Sequence, residues 1–267
     1  MFYRSQLFVP GNRPERFEKA CKAGADLVCI DLEDAVAPAG KDKARQEVLG
    51  WLSKTNHKNV SLRINPVETK FGQKDIEALA ASHLNLPFVM IPKVPNAQAI
   101  EQLDRAFPKE LGIFFPIIES AKGLVNSDQI FAHERVKIAV FGAVDYASDV
   151  DSDMAWETLL FARSKLVASA AAYDVQLFES PHIEVRDLDD CEASMRKAKA
   201  LGIHARSAIH PAQIERIHAA LKPSDAELEY AKRVLEAFEK SDGNVVLMDG
   251  VFIEEPVVKK ARRILGV

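Results

Sequence analysis

The stretch Ala25–Asp34, ADLVCIDLED, decides the fold. It is a near-continuous apolar run that ends in Asp31, Glu33 and Asp34. A run without alternation suits a strand buried on both faces, as in a parallel sheet flanked by helices. Upstream, SQLFVP (Ser5–Pro10) has the same character. Between the two, Pro14–Ala23 reads as a helix opened by proline, whose missing N–H costs little in a first turn. Downstream, strand-like runs recur at Val60–Ile64, Phe88–Ile91, Gly112–Ile118, Val136–Phe141, Gln176–Phe178 and Ser207–Ile209. Helical patterns fill the gaps, at Lys41–Leu52, Gln73–Ala81, Ala97–Ala106, Leu124–Phe131, Trp156–Tyr173, Leu188–Leu201 and Pro211–Leu221. Eight such units in about 220 residues predict an α/β chain of the (β/α)8 TIM-barrel class. A doubly wound open sheet is the alternative, but the glycine-rich phosphate loop that often marks it is missing from the sequence.

The barrel pattern covers residues 1–221, and 222–267 form a C-terminal helix–hairpin–helix extension. Ser224 with Glu227 three residues on makes a capping box for a helix reaching about Lys240. NVVLMDGVFIEEP then reads as a hairpin about Asp249-Gly250, and Pro256–Leu265 as a closing helix. This segment is surplus to a barrel, so a lid, an oligomerisation arm or both are expected of it.

Composition narrows the function. The 267 residues are 48% hydrophobic and 28% charged, ordinary for a globular chain. With 35 Lys+Arg against 39 Asp+Glu the net charge is −4, a poor match to nucleic acid or an anionic membrane surface. No apolar run approaches the roughly 18 to 20 residues of a membrane span, and the N-terminus lacks a signal-peptide pattern. Three cysteines without a CxxC suggest reduced thiols and a cytoplasmic protein.

In a barrel the chemistry sits at the C-terminal ends of the strands. There the sequence places Arg13 and Arg16, then Asp31, Glu33 and Asp34, then Arg63 and Asn65, Glu119, Asp145 and His210. Each also has a plainer reading: Arg13 and Arg16 as solvated helix-start residues, Asp31 and Glu33 as turn caps, Arg63 as partner of a neighbouring acid, Glu119 and Asp145 as unrelated surface acids, and His210 as a helix-entry residue. Taken together, Glu119 and Asp145 on successive strand ends, without a Cys or His cluster, suit a hard cation such as Mg2+. An Arg across from them forks a substrate carboxylate. The assembly fits a 2-oxo acid, whose carbonyl a metal polarises during C–C bond making or breaking.

RSQLFVPGNRPERFEKA, DLVCIDLEDAVAPAGKDKAR, LRIN, VMIPKV, PIIESAKGL, FGAVDYASDV, SAIHPAQI and LMDGVFIEEPVVKKARRIL resemble, in order, the citrate lyase beta-subunit-like proteins of the wider aldolase and malyl-CoA lyase superfamily. The resemblance implies a Mg2+-dependent lyase. It would split a citryl-, citramalyl- or malyl-CoA type of hydroxyacyl-CoA into acetyl-CoA and a 2-oxo acid. It assigns the metal to Glu119 and Asp145 and the oxo acid to Arg63. Phe8, Arg16, Lys19, Ile209 and His210 become neighbours of CoA. Relatives form oligomers, often trimers, whose tails cover the adjacent barrel, which puts Glu254 in a partner's site as proton donor. The chain departs from the pattern in several places. It has Val144 where relatives carry an acid, Lys122 where Arg is common, Ala205-Arg206 for a Gly-Lys pair, and Glu254 for an Asp. Asp34 stands where related pyruvate aldolases have a catalytic His, which argues against their mechanism. Two rival readings remain: a non-catalytic or complex-dependent citrate lyase subunit, and a CoA-independent Mg2+ aldolase.

Overall fold

The computed structural model describes residues 2–55, 57–108, 111–241 and 244–266. Eight strands run parallel: β1 (Ser5–Pro10), β2 (Leu27–Asp31), β3 (Val60–Arg63), β4 (Phe88–Ile91), β5 (Ile113–Ile118), β6 (Ile138–Phe141), β7 (Gln176–Phe178) and β8 (Arg206–Ala208). Their order is β7-β6-β5-β4-β3-β2-β1-β8. A parallel bridge between Glu179 and Arg206 brings the two ends together. There Glu179 N donates to Ala205 O at 2.8 Å, and Ser207 N to Glu179 O at 3.1 Å. The expected TIM barrel is therefore present.

Helices follow the strands: α1 (Phe17–Cys21), α2 (Lys41–Leu52), α3 (Lys70–Ala81), α4 (Ala97–Ala106), α5 (Ala121–Val125), α6 (Ser127–Phe131), α7 (Ala143–Asp149), α8 (Leu160–Ala172), α9 (Leu188–Leu201) and α10 (Ala212–Leu221). Several differ from the sequence reading: α1 is preceded by a 3-10 turn at Pro14–Arg16, and α8 begins at Leu160 rather than at Trp156. α3 begins earlier because the Thr69 side chain accepts from Gly72 N and caps it. The single helix expected over Leu124–Phe131 breaks at Asn126, whose amide donates to Pro95 O. α7 is a short helix just past the sixth strand for which the sequence reading predicts no element.

Period two along the strands sorts the side chains. Leu27, Cys29, Phe88, Met90, Phe115, Ile117, Ile138, Val140 and Phe178 fill the barrel interior. Val28, Ile30, Leu62, Val89 and Phe114 instead belong to the cluster that includes helix residues such as Ala44, Val48 and Leu103. Continuing each inward row by two residues gives Asp31 after Leu27 and Cys29, Arg63 after Ser61, and Glu119 after Phe115 and Ile117. The same spacing brings Gly142 after Ile138 and Val140. Strand periodicity thus delivers the polar groups to one end of the barrel.

The chain divides into two compact units at Leu221/Lys222. The second contains α11 (Asp225–Lys240), the antiparallel pair β9 (Val246–Met248) and β10 (Val251–Ile253), and α12 (Glu255–Leu265). Both halves of the Ser224/Glu227 capping box form. Asp249 at φ 52° and Gly250 at φ 80° make the left-handed pair that a two-residue hairpin requires. Ala231, Val234, Ile253, Val258 and Ala261 are its core. Among the described residues no helix is long and apolar enough to cross a membrane.

Candidate active site

A cavity of about 480 Å3 opens at the C-terminal ends of the strands. Asp31, Arg63, Glu119 and Asp145 all line it, together with Phe8, Val144 and Ile209. Asp31 and Arg63 are paired positions of β2 and β3. Arg63 Nε and Nη2 donate to the two oxygens of Asp31 at 2.7 and 2.6 Å. The same carboxylate accepts from the backbone of Glu33 and Ala35, so the turn-cap reading of Asp31 holds as well. Arg63 Nη1 lies 2.9 Å from Glu33, and its guanidinium stands 5.0 Å over the Phe8 ring. Burial opposes charge on Arg63, but Asp31 and Glu33 outweigh it and raise its pKa. The side-on fork expected for a substrate is therefore occupied by Asp31, and the N–H groups left for a ligand are on Nη1 and Nη2.

Glu119 is buried, and its Oε1 accepts from Lys93 N at 2.6 Å. Burial, then Glu33 and Asp145, push its pKa up to about 8. Glu33 is pushed up to about 7, chiefly by burial. Asp145 sits in the first turn of α7 rather than on the strand itself. Gly142 makes room for the site, since a Cβ there would lie 2.5 Å from Glu119 Cβ and 2.7 Å from Glu119 Oε2.

Lys93 was not among the residues singled out from the sequence. It follows β4 at φ 54°, and its Nζ lies 3.4 Å from Glu33 and 4.0 Å from Asp145. Its signal was the last Lys of IPK at a buried strand end. Lys41 was also missed: its Nζ donates to the Leu32 and Glu33 carbonyls and pins the loop after β2. Asn65 faces a separate network through Asp75.

The donor set fits a hard cation. Among the described residues no group of three or more His, Cys, Asp and Glu side chains is arranged to hold a metal ion. Mg2+, however, is typically held by one or two carboxylates with waters and substrate oxygens completing the shell. Glu119 and Asp145 provide two carboxylates on one cavity, and the buried Glu33 carboxylate behind them is already held by ion pairs to Arg63 and Lys93. Both raised carboxyl pKa values come chiefly from burial, with neighbouring carboxylates adding to it.

A second, larger cavity of about 950 Å3 holds all five of the other candidates, Phe8, Arg16, Lys19, Ile209 and His210. Phe8, Val9, Pro10 and Ile209 line both cavities. Arg16 and Lys19 are exposed. His210 Nδ1 accepts from Ala212 N, so this residue also serves as the expected helix entry. Buried Gln213 accepts from the Ile209 and His210 amides and donates to His182 O, tying the loops after β7 and β8 together. Glu254 lies in the second unit, exposed, at the N-cap of α12 and without a side-chain cap hydrogen bond.

The model of the HpcH/HpaI aldolase/citrate lyase family matches residues 4–211. The chain belongs to that family. It is 31% identical to citrate lyase subunit beta of Haemophilus influenzae, over 98% of this chain and 95% of the relative. It is 30% identical to a (3S)-malyl-CoA thioesterase of Cereibacter sphaeroides, over 99% and 94%. A crystal structure of CitE from Mycobacterium tuberculosis in complex with magnesium, acetoacetate and coenzyme A superposes with a TM-score of 0.88 at 29% identity, covering 99% of this chain and 97% of that one. The family match ends ten residues before the second unit begins at Lys222.

Proposed function

We propose that the chain is a Mg2+-dependent carbon–carbon lyase that cleaves a hydroxyacyl-CoA to acetyl-CoA and a 2-oxo acid. The observation that carries the reading is the pair of adjoining cavities. One gathers Glu119, Asp145 and Arg63, the other gathers Arg16, Lys19 and His210, and Phe8–Pro10 with Ile209 wall both. A CoA thioester has that division, an acyl end for chemistry and a long phosphorylated end for binding. The related CitE crystallised with magnesium, acetoacetate and coenzyme A supports it.

In this reading Glu119 and Asp145 hold Mg2+, which when bound polarises a substrate oxygen and stabilises negative charge on it. Arg63 orients the 2-oxo acid portion through its remaining N–H groups, itself held by Asp31. Gly142 keeps the Glu119 carboxylate in place. In cleavage the substrate hydroxyl gives up its proton to water as its carbon becomes the carbonyl of the 2-oxo acid, the C–C bond breaks, and its electron pair passes to the thioester as the acetyl-CoA enolate. Glu254, offered by the tail of a neighbouring copy in a trimer, delivers the proton that this enolate needs. Arg16, Lys19 and His210 bind the phosphates of CoA. An intracellular, reduced setting matches its unpaired Cys21, Cys29 and Cys191.

Calorimetry of Mg2+ and oxo-acid binding to Glu119→Ala and Asp145→Ala tests the metal site: both variants should fold and lose binding, and unchanged binding in both refutes the assignment. Co-refolding of Glu254→Ala with Glu119→Ala subunits tests the shared site. Activity should return only in mixed oligomers, and verified mixed oligomers without activity contradict the role of Glu254.

A second reading, thioester hydrolysis, is favoured by the (3S)-malyl-CoA thioesterase at 30% identity. It predicts free CoA and a hydroxy acid in place of acetyl-CoA and an oxo acid. A citrate lyase subunit working only in a complex is a further alternative, consistent with the beta subunit at 31% identity. It predicts inactivity until carrier and transferase subunits are added.

A further inference from the structure

We infer that the acyl site is built for a 2-oxo monocarboxylic acid with a short hydrocarbon substituent, and against an oxo acid that carries a second carboxylate. The inference rests on the lyase reading above and narrows its substrate class. Its basis is the wall of the 480 Å3 cavity. Among the described residues Arg63 is the one cationic side chain lining it, and Asp31 already occupies the Nε edge of that guanidinium. The other charged lining groups are Asp31, Asp34, Glu119 and Asp145, all acids. Lys93 is turned to Glu33 and Asp145 and is not part of the lining.

Apart from the Ser180 hydroxyl, which accepts from Ala143 N, the rest of the wall is apolar. Phe8, Val9, Pro10, Ile117, Val140, Val144, Pro181, Ile183 and Ile209 contribute to it. Three of these stand open at the rim: Val144 is 46% exposed, Ile183 50% and Ile209 43%. They come from three separate segments, α7 and the stretches after β7 and β8. Buried Gln213 fixes the last two stretches against each other.

Every 2-oxo acid has one carboxylate beside its carbonyl, and that group has Arg63 and the proposed metal site. A second carboxylate would meet apolar side chains and like charge, losing hydration without a cationic partner. A methyl or ethyl group would instead remove apolar surface of Val144, Ile183 and Ile209 from water. Rejection of an unpaired charge is a stronger device than acceptance of a methylene, so the discrimination falls mainly on the dicarboxylate.

The test runs the reaction toward condensation, in which the methyl carbon of acetyl-CoA bonds to the carbonyl carbon of the oxo acid and no other reactant is consumed. The full chain with Mg2+ and acetyl-CoA is offered pyruvate, 2-oxobutyrate or oxaloacetate, and the acyl-CoA formed is measured by mass spectrometry. Calorimetry of each free oxo acid runs alongside. Pyruvate and 2-oxobutyrate should exceed oxaloacetate by at least about tenfold in kcat/KM. Val144→Lys, which adds a cation at the rim, should narrow that ratio, with Ile183→Lys as a second such variant if the first does not fold. Oxaloacetate equal or superior in the wild type overturns the inference and leaves the lyase reading standing, and so does a ratio unmoved in both folded variants. Failure of every oxo acid to bind or condense overturns the lyase reading itself.

Discussion

Asp31 and Arg63 face each other across β2 and β3, joined by two hydrogen bonds of 2.7 and 2.6 Å. The pair fixes the guanidinium at the end of the barrel while it also bears on Glu33. Its geometry is planar and two-pronged, which an ammonium cannot reproduce. Arg63→Lys should therefore cost on the order of 1.5–3 kcal/mol of oxo-acid binding, about ten- to a hundredfold or more. Asp31→Asn should weaken binding in the same direction without removing the cation. Calorimetry with pyruvate checks both, and a dissociation constant within twofold of wild type removes Arg63 from the site.

Gly142 and Glu119 set a second expectation. A methyl group at Gly142 would overlap Glu119 at 2.5 Å from its Cβ and 2.7 Å from Oε2. Gly142→Ala should shift the carboxylate and lower Mg2+ affinity at least about tenfold, with an overpacking cost of about 1–3 kcal/mol. Mg2+ titration and thermal unfolding separate the two effects. Unchanged Mg2+ affinity would show that Glu119 is not a ligand, or that it moves freely.

The site should respond to pH through its raised carboxyl groups. The Glu119 pKa stands at about 8 against an ordinary value of 4.5. A raised carboxyl pKa in the folded state gives stability that is present below the ordinary value and lost as pH rises toward the folded one. In EDTA the melting temperature should fall between pH 5 and 8, and less so in Glu119→Gln. Metal must displace the proton, so Mg2+ affinity should rise with pH and level off above about 8. Equal Mg2+ affinity at pH 6 and pH 8 would contradict this.

Asp145 depends on a buried support. Arg163 donates to both oxygens of Glu179, at 2.9 and 3.1 Å, and stacks 4.4 Å from the Trp156 ring. Glu179 accepts from Ser180 N, and Ser180 accepts from Ala143 N at the start of α7. Arg163→Leu leaves Glu179 buried without its partner, a change that costs about 3–5 kcal/mol in comparable pairs. Denaturant unfolding should show that loss, and Arg163→Lys should recover part of it.

Much of this architecture was legible in the sequence. Strands buried on both faces, such as Leu27–Asp31 and Phe88–Ile91, announce themselves as unbroken apolar runs. The capping box at Ser224 and the Asp249-Gly250 turn are local chemistry, and both formed. What stayed hidden depends on tertiary pairing. No local pattern shows that Arg63 is held by Asp31, 32 residues earlier, or that Arg163 in α8 meets Glu179 after β7. Lys93 was missed because its left-handed backbone and its place among Glu33, Asp145 and Glu119 arise from the barrel, not from its neighbours in sequence. α7 was missed because seven residues are too few for a periodic signal.

The most direct measurement follows the products. The full chain with Mg2+ is offered citramalyl-, malyl- and citryl-CoA, and the products are resolved by mass spectrometry. Acetyl-CoA and a 2-oxo acid should appear in equal amounts, dependent on Mg2+ and abolished in Glu119→Ala and Asp145→Ala. Free CoA with an intact hydroxy acid, or acetyl-CoA formed equally well by those two variants, would contradict the lyase reading.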